Sequence, residues 1–205
     1  MMNSITVAII SDTHAQLHPR IDALIRDCDI ALHAGDICDG DILHAMQPRT
    51  GQVIAVRGNN DYPGAWPAHQ AEQVKAIPTV ASLKLPGGLI KIEHGHVHDM
   101  TSPSHEDLRS AHPEARLVVY GHTHKKVIDD YKTPWVVNPK EVRFMNTRSI
   151  FRFLALVGVV LRLAGGLGGE PDQEEAARRA AEVRAVIAER MLHSATHTAQ
   201  VTLTA

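Results

Sequence analysis

Ala31-Leu32-His33-Ala34-Gly35-Asp36-Ile37-Cys38-Asp39 decides the reading of this chain, because an apolar strand runs there into a glycine and then two carboxylates three residues apart. Taken alone, an Asp after a strand is more often a turn former or a helix cap than a ligand. Four other strands, however, also run into loops that carry His, Asp or Asn. Hard and borderline cations take that mix of oxygen and imidazole donors. On that ground Asp36 reads as a carboxylate shared between two metal ions.

Upstream, the stretch up to Ile10 reads as a first strand ending in Ser11-Asp12-Thr13-His14. The segment after it has Pro19 in a first helical turn, with Ile21, Leu24, Ile25 and Cys28 on one face. Downstream of the quoted stretch, Asp39 or Asp41 can cap a short helix that turns Ile42, Leu43 and Met46 inward. Val53 to Val56 is a strand running into Arg57-Gly58-Asn59-Asn60-Asp61. Thr79 to Leu85 and Leu89 to Glu93 flank Pro86-Gly87-Gly88 as a hairpin, whose second arm delivers His94-Gly95-His96. Arg116 to Tyr120 ends in Gly121-His122-Thr123-His124, and Val127 to Asp129 and Trp135 to Asn138 are shorter strands. Loops beyond the carboxyl ends of strands in an open α/β sheet converge on one crevice, so these five could build one site. As turn formers alone they would need Gly, Asn and Asp, but not the imidazoles of His94, His122 and His124.

Composition narrows the classes. A chain of 205 residues with 44% apolar content is long enough to bury a sizeable core. A net charge of -2 gives no general attraction to nucleic acid or to an anionic membrane. The outlying figure is 14 histidines, dispersed along the chain, against 4% aromatic residues. Cys28 and Cys38 are too few for a disulfide framework, so a reduced compartment and a cytoplasmic location are expected. The longest uncharged apolar run, Phe153 to Leu161, falls short of the roughly 20 residues that span a bilayer.

With D-x-H at Asp12 and His14, G-D at Gly35 and Asp36, G-N-N-D from Gly58, H-G-H from His94 and G-H-T-H from Gly121, the chain resembles the calcineurin-like metallophosphoesterases. The likeness is strongest to their small bacterial and archaeal phosphodiesterase branch, and it covers residues 1 to about 139. It implies an α/β fold, a four-layer α/β/β/α sandwich of two mixed sheets. It also implies a dinuclear site, with Asp12, His14, Asp36 and His124 on one metal and Asp36, Asn59, His94 and His122 on the other. His96 lies beside the ligands in that pattern and, with Asp36 and Asn59, is assigned to the chemistry. The implied activity is hydrolysis of a small phosphodiester by a hydroxide that two divalent cations activate. Mn2+ heads the metals such donors suit, with Fe2+, Zn2+ and Ni2+ as alternatives.

The chain departs from the family at three places. Asn60 stands where many members carry a His that protonates the leaving oxygen; Lys125 and Lys126 follow the last motif; and Lys140 follows Asn138-Pro139 where Gly is usual. Two other functions stay open. One is a protein-binding scaffold, as in relatives of the retromer coat, and the other is a phosphomonoesterase or nucleotide pyrophosphate hydrolase. The expected boundary puts the metallophosphoesterase domain at 1–164. Residues 165–205 hold a glycine-rich break, an amphipathic helix with Ala176, Ala180, Val183, Ile187 and Met191 on one stripe, and a tail. That stripe packs on the domain or makes a homo-oligomer contact.

Overall fold

A computed structural model describes residues 5–139. The apolar run at 153–161, the break at 165–169 and the helix and tail beyond it lie outside the described residues. The chain opens with two consecutive strand, helix, strand units. They comprise β1 (Val7–Ile10), α1 (Pro19–Arg26), β2 (Ile30–Ala34), α2 (Gly40–Ala45) and β3 (Gln52–Val56). β1 pairs with β2 and β2 with β3, both in parallel, in the order β1-β2-β3. β1 and β2 are buried throughout and lack polar alternation, as expected of parallel strands covered on both faces.

The helix ends follow from local chemistry. Pro19 opens α1, where its missing N–H costs nothing, and His18 Nδ1 accepts the Arg20 N–H at 3.2 Å. Ile21 and Ile25, one turn apart, are the buried face. Asp39 is the residue that caps α2, accepting from Asp41 N at 2.9 Å.

A 3-10 turn at Ala68–Gln70 and α3 (Ala71–Ala76) lead to the second sheet. It contains β4 (Val80–Leu85), β5 (Gly88–Glu93), β6 (Leu117–Val119), β7 (Val127–Asp129) and β8 (Trp135–Asn138), with α4 (His105–Ala111) between β5 and β6. The strand order is β4-β5-β6-β8-β7. The β4–β5 and β7–β8 pairs are antiparallel, and the two central pairings are parallel. Gly88 pairs with Leu85, so the β4–β5 hairpin turns on Pro86-Gly87 alone, one residue tighter than expected.

The main core lies between the sheets. Val7, Ile9, Ile30, Leu32, Ala34 and Val56 from the first sheet share one cluster with Leu83, Ile90, Ile92, Leu117, Val119 and Val137 from the second. Each buried Val, Leu or Ile side chain there contributes about 1.5 to 3 kcal/mol. Alternation sends Val118, Tyr120 and Val136 to the opposite face, where Leu108 of α4 covers them. Helix, sheet, sheet and helix thus stack as the four-layer sandwich. Among the described residues, no helix is long and apolar enough to cross a membrane.

Candidate metal centre

Each residue that the sequence assigns to metal follows a strand of the two sheets, and the loops are tied to each other by main-chain bonds. Asp12 N donates to Gly35 O at 2.9 Å, His14 N to Asp36 O at 3.0 Å, and Ala15 N to Ile37 O at 2.8 Å. In the second sheet, Gly121 N donates to His94 O at 3.2 Å. Asp12, His14, Asp36, His122 and His124 all sit at positive φ, between 45° and 66°. Such backbone costs a non-glycine residue about 1 to 2 kcal/mol. Strain of this kind concentrates at functional sites, where the surrounding structure imposes it.

Asp12, His14, Asp36 and His124 offer ligand atoms that all lie within 4.8 Å of one another. Within that group His124 Nε2 is 3.4 Å from Asp12 Oδ1, and His14 Nε2 is 3.9 Å from Asp36 Oδ2. Asp12 Oδ2 and His14 Nε2 are buried without a hydrogen-bond partner. Orphaned buried polar atoms are rare and costly, and a cation among them would satisfy both. The donor set of two carboxylates and two imidazoles therefore fits a divalent metal.

The remaining assigned residues adjoin this cluster. His94, fully buried, has Nε2 at 3.4 Å from Asp36 Oδ1, 4.0 Å from Asp12 Oδ1 and 3.1 Å from Asn59 Oδ1. Its Nδ1–H donates to Ala34 O at 2.8 Å, which directs Nε2 at those oxygens. The His122 ring is 5.2 Å from that of His94, and its Nε2–H donates to Met100 O at 2.9 Å. His122 N in turn donates to Asp12 Oδ1 at 3.1 Å. The His96 ring lies 5.3 Å from His94 and 6.2 Å from His122, beside the cluster. The structure thus brings all eight assigned residues into one neighbourhood, with Asp36 in contact with both His14 and His94.

Charge reinforces the geometry. Burial raises the Asp36 pKa, but the hydrogen bond and charge of His94 and two donors from Asn60 outweigh it and hold the carboxyl well below its ordinary value. Burial lowers the pKa of His94, and Asp36 and Asp12 more than reverse this. The field that draws positive charge onto this imidazole equally favours a cation. His96 is pushed down by burial and by the neighbouring His94 and His122.

Asp61 and His33 are structural supports that reading the motifs did not identify. Asp61, buried, accepts from Ile37 N at 3.0 Å, Cys38 N at 2.8 Å, Gly58 N at 2.7 Å and Trp66 Nε1 at 2.9 Å. It thereby fixes the loop after Asp36 to the loop carrying Asn59. His33 Nε2 lies 3.0 Å from the Thr13 hydroxyl, which itself donates to Ile37 O. Asn60, read as a missing acid, holds Asp36 instead, through its N at 2.9 Å and Nδ2 at 2.7 Å. Full burial pushes the His33 pKa down to about 4, against partial opposition from Asp61 and Asp12.

The chain belongs to the calcineurin-like phosphoesterase superfamily, whose domain profile matches residues 5–157. Two proteins of Methanocaldococcus jannaschii are similar to it. One, described as a probable metallophosphoesterase, is 26% identical over 142 residues, 65% of this chain and 66% of that protein. The other, described as a phosphodiesterase, is 26% identical over 144 residues, 66% of this chain and 82% of that protein. Among solved structures, a Vps29 variant from Entamoeba histolytica superposes with a TM-score of 0.56 at 17% identity, covering 70% of this chain and 78% of its own. At that identity the likeness concerns the fold alone.

Proposed function

We propose that this protein is a metal-dependent phosphodiesterase acting on a small phosphorylated substrate at a dinuclear centre. The observation that carries the reading is the quartet Asp12, His14, Asp36 and His124, in which Asp12 Oδ2 and His14 Nε2 are buried without a hydrogen-bond partner. In this reading the quartet holds one divalent metal, and Asp36, Asn59, His94 and His122 hold the other. Mn2+ is the first choice, ahead of Fe2+, Zn2+ or Ni2+. When bound, two such cations neutralise phosphate charge and activate a water molecule near neutral pH.

The chain's own residues orient this chemistry. Asn60 and His94 grip the two oxygens of Asp36, so the shared carboxylate cannot rotate freely. Asn59 presents its Oδ1 beside His94 Nε2. In this reading His96, whose ring lies 5.3 Å from that of His94, contributes to the chemistry beside the ligands. No protein nucleophile is required, since positioning and charge neutralisation carry most phosphoryl transfers.

Diesters are favoured over monoesters because Asn60 cannot titrate and its amide is engaged with Asp36. A monoester with a poor leaving group lacks an obvious proton donor there. The phosphodiesterase description of the similar archaeal protein points the same way.

The test is to strip the purified protein of metal, reload it with Mn2+ or Zn2+, and assay a bis-aryl phosphodiester beside the matching aryl monoester. Activity that returns with metal, prefers the diester and disappears in Asp36→Asn is expected. Full activity in the presence of a strong chelator, or in Asp36→Asn, would refute the reading.

A further inference from the structure

Two of the imidazoles around the proposed centre are braced from behind by main-chain carbonyls, His94 by Ala34 and His122 by Met100. His14 is braced differently. Its Nδ1 lies 3.7 Å from the sulfur of Cys38, and its Nε2 is the buried, partnerless atom that faces Asp36. We infer that Cys38 is a positioning residue for metal binding, its sulfur accepting the His14 Nδ1–H and so presenting the Nε2 lone pair to the cluster. This rests on the proposed metal centre and specifies how one of its ligands is held.

The direction of the hydrogen bond follows from the neighbours. The Cys38 thiol has its own acceptor, Asn60 O at 4.0 Å, which leaves the sulfur lone pairs for His14. In the opposite tautomer Nε2 would carry a hydrogen, which the nearest carboxylate oxygen, at 3.9 Å, is too distant to accept. A buried N–H without an acceptor is the less tolerated choice. The two nitrogens of an imidazole point away from each other, so a group bonded to Nδ1 stands behind the ring and does not share the metal held by Nε2.

The contact is also built into the backbone. Cys38 has φ +63°, a conformation that a side chain rarely adopts, and Asp61 holds it there through the Cys38 N–H at 2.8 Å. On the other side, His14 N and Ala15 N bond to Asp36 O and Ile37 O, which locks the two loops in register. Because the brace is a side chain, it can be removed by substitution, as the carbonyls behind His94 and His122 cannot.

The experiment uses the full chain, stripped of metal and titrated with Co2+ and Mn2+, for the parent, Cys38→Ala and Cys38→Ser. Loss of an outer partner of a metal ligand typically weakens binding about 10- to 100-fold. Cys38→Ala should lose that much affinity for one of two cations while the metal-free unfolding midpoint stays close to the parent's. Cys38→Ser, whose hydroxyl also accepts a hydrogen bond, should recover part of the loss. The cobalt-loaded parent should show no sulfur-to-cobalt charge-transfer band. Parental affinity in Cys38→Ala would overturn the inference and leave the proposed function standing. A charge-transfer band abolished by Cys38→Ala would overturn it by making the thiolate a ligand. Should Cys38→Ala fail to fold, Cys38→Gly, which suits the φ of +63° and also lacks the acceptor, decides: affinity at or above the parent's overturns the inference. A parent that takes up no metal and hydrolyses no phosphodiester refutes the proposed function itself.

Discussion

Replacing Gly58 by Ala tests whether the loop after β3 is built around Asp36. A Cβ at position 58 would meet Asp36 Oδ1 at 2.2 Å, the Asp36 main-chain nitrogen at 2.6 Å and His94 Cδ2 at 2.8 Å. Unbonded carbon atoms rest about 3.5 to 4.0 Å apart, so the overlap is on the order of 1 Å. One of the three atoms is main chain and cannot rotate aside, and the other two belong to proposed ligands. Overpacking of this kind costs about 1 to 3 kcal/mol. In a chain of this length each kcal/mol corresponds to roughly 2 to 4 °C in the unfolding midpoint. A shift of about 1 Å in a catalytic group can cost on the order of 10²-fold in rate.

The expected result is therefore a modest loss of stability with a large loss of function. Gly51→Ala supplies the control, since Gly51 has φ +72° and no atom within 4 Å of the added Cβ. It should cost about 1 to 2 kcal/mol through backbone strain alone, with turnover unchanged. The assay is kcat/KM on a bis-aryl phosphodiester in Mn2+, with metal content and thermal unfolding measured on the same samples. Gly58→Ala with the parent's metal content and kcat/KM would show that the close approach to Asp36 is not needed. Equal losses of activity in both variants would show that general destabilisation is being read.

Asp61→Ala is predicted to cost about 3 kcal/mol, because it strips the acceptor from two buried main-chain donors, at about 1 to 3 kcal/mol each, and from the part-buried Cys38 N–H; a denaturation midpoint matching the parent's would contradict the role given to Asp61. His33 should make the metal-free protein acid-sensitive. Its folded pKa of about 4 lies below the ordinary histidine value of 6.5, so between these pH values the unfolded chain binds a proton that the folded one does not. Stability should then fall by about 3 kcal/mol as pH drops from 6.5 towards 4. In His33→Gln the unfolding free energy should fall less steeply over that window, and parallel curves for the two proteins would dismiss the assignment. Asn60→His should narrow the gap between aryl diester and monoester, since a general acid is worth about 10² to 10⁴ in rate; a parent that already prefers monoesters would count against it.

The strand-to-loop junctions are legible in the sequence because each joins an apolar run to a cluster of Gly, Asp, Asn or His. β2 occupies Ile30–Ala34 and β3 Gln52–Val56, within a residue of where composition puts them. α3 and α4 escape that reading because their apolar faces are thin. α3 buries Val74, and α4 buries Leu108 and the charged Arg109. α4 does carry a local signal in Ser104, whose hydroxyl caps Asp107 N three residues on. Asp61 and Cys38 are of another kind. Asp61 reaches donors 23 and 24 residues away, and Cys38 contacts a ring 24 residues before it. No local pattern encodes such partners, whereas the proposed ligands are picked out by the recurrence of Asp, Asn and His after five strands.

The backbone at the ligands bears on the choice between enzyme and scaffold. Asp, Asn and His enter the left-handed region more readily than other side chains, but five of the proposed ligands, Asp12, His14, Asp36, His122 and His124, are there together, which turn formation alone does not require. The same loops bury Asp12 and Asp36 together, with His94 wedged between them. Two carboxylates in one buried pocket repel each other, and without a cation they depend on His94, His124 and the donors from Asn60 and His122 N for compensation. A scaffold binding partners through its outer surface gains nothing from either cost, and substitution of these residues by ordinary turn formers would relieve both. Their joint presence is the physical reason to favour catalysis. It also sets a clear expectation for the metal-free protein: divalent cation should raise its unfolding midpoint, by an amount that grows with free metal concentration as RT ln(1 + [L]/Kd). A midpoint indifferent to Mn2+, Zn2+, Fe2+ and Ni2+ would leave the strain and the buried charge unexplained and favour the scaffold over the enzyme.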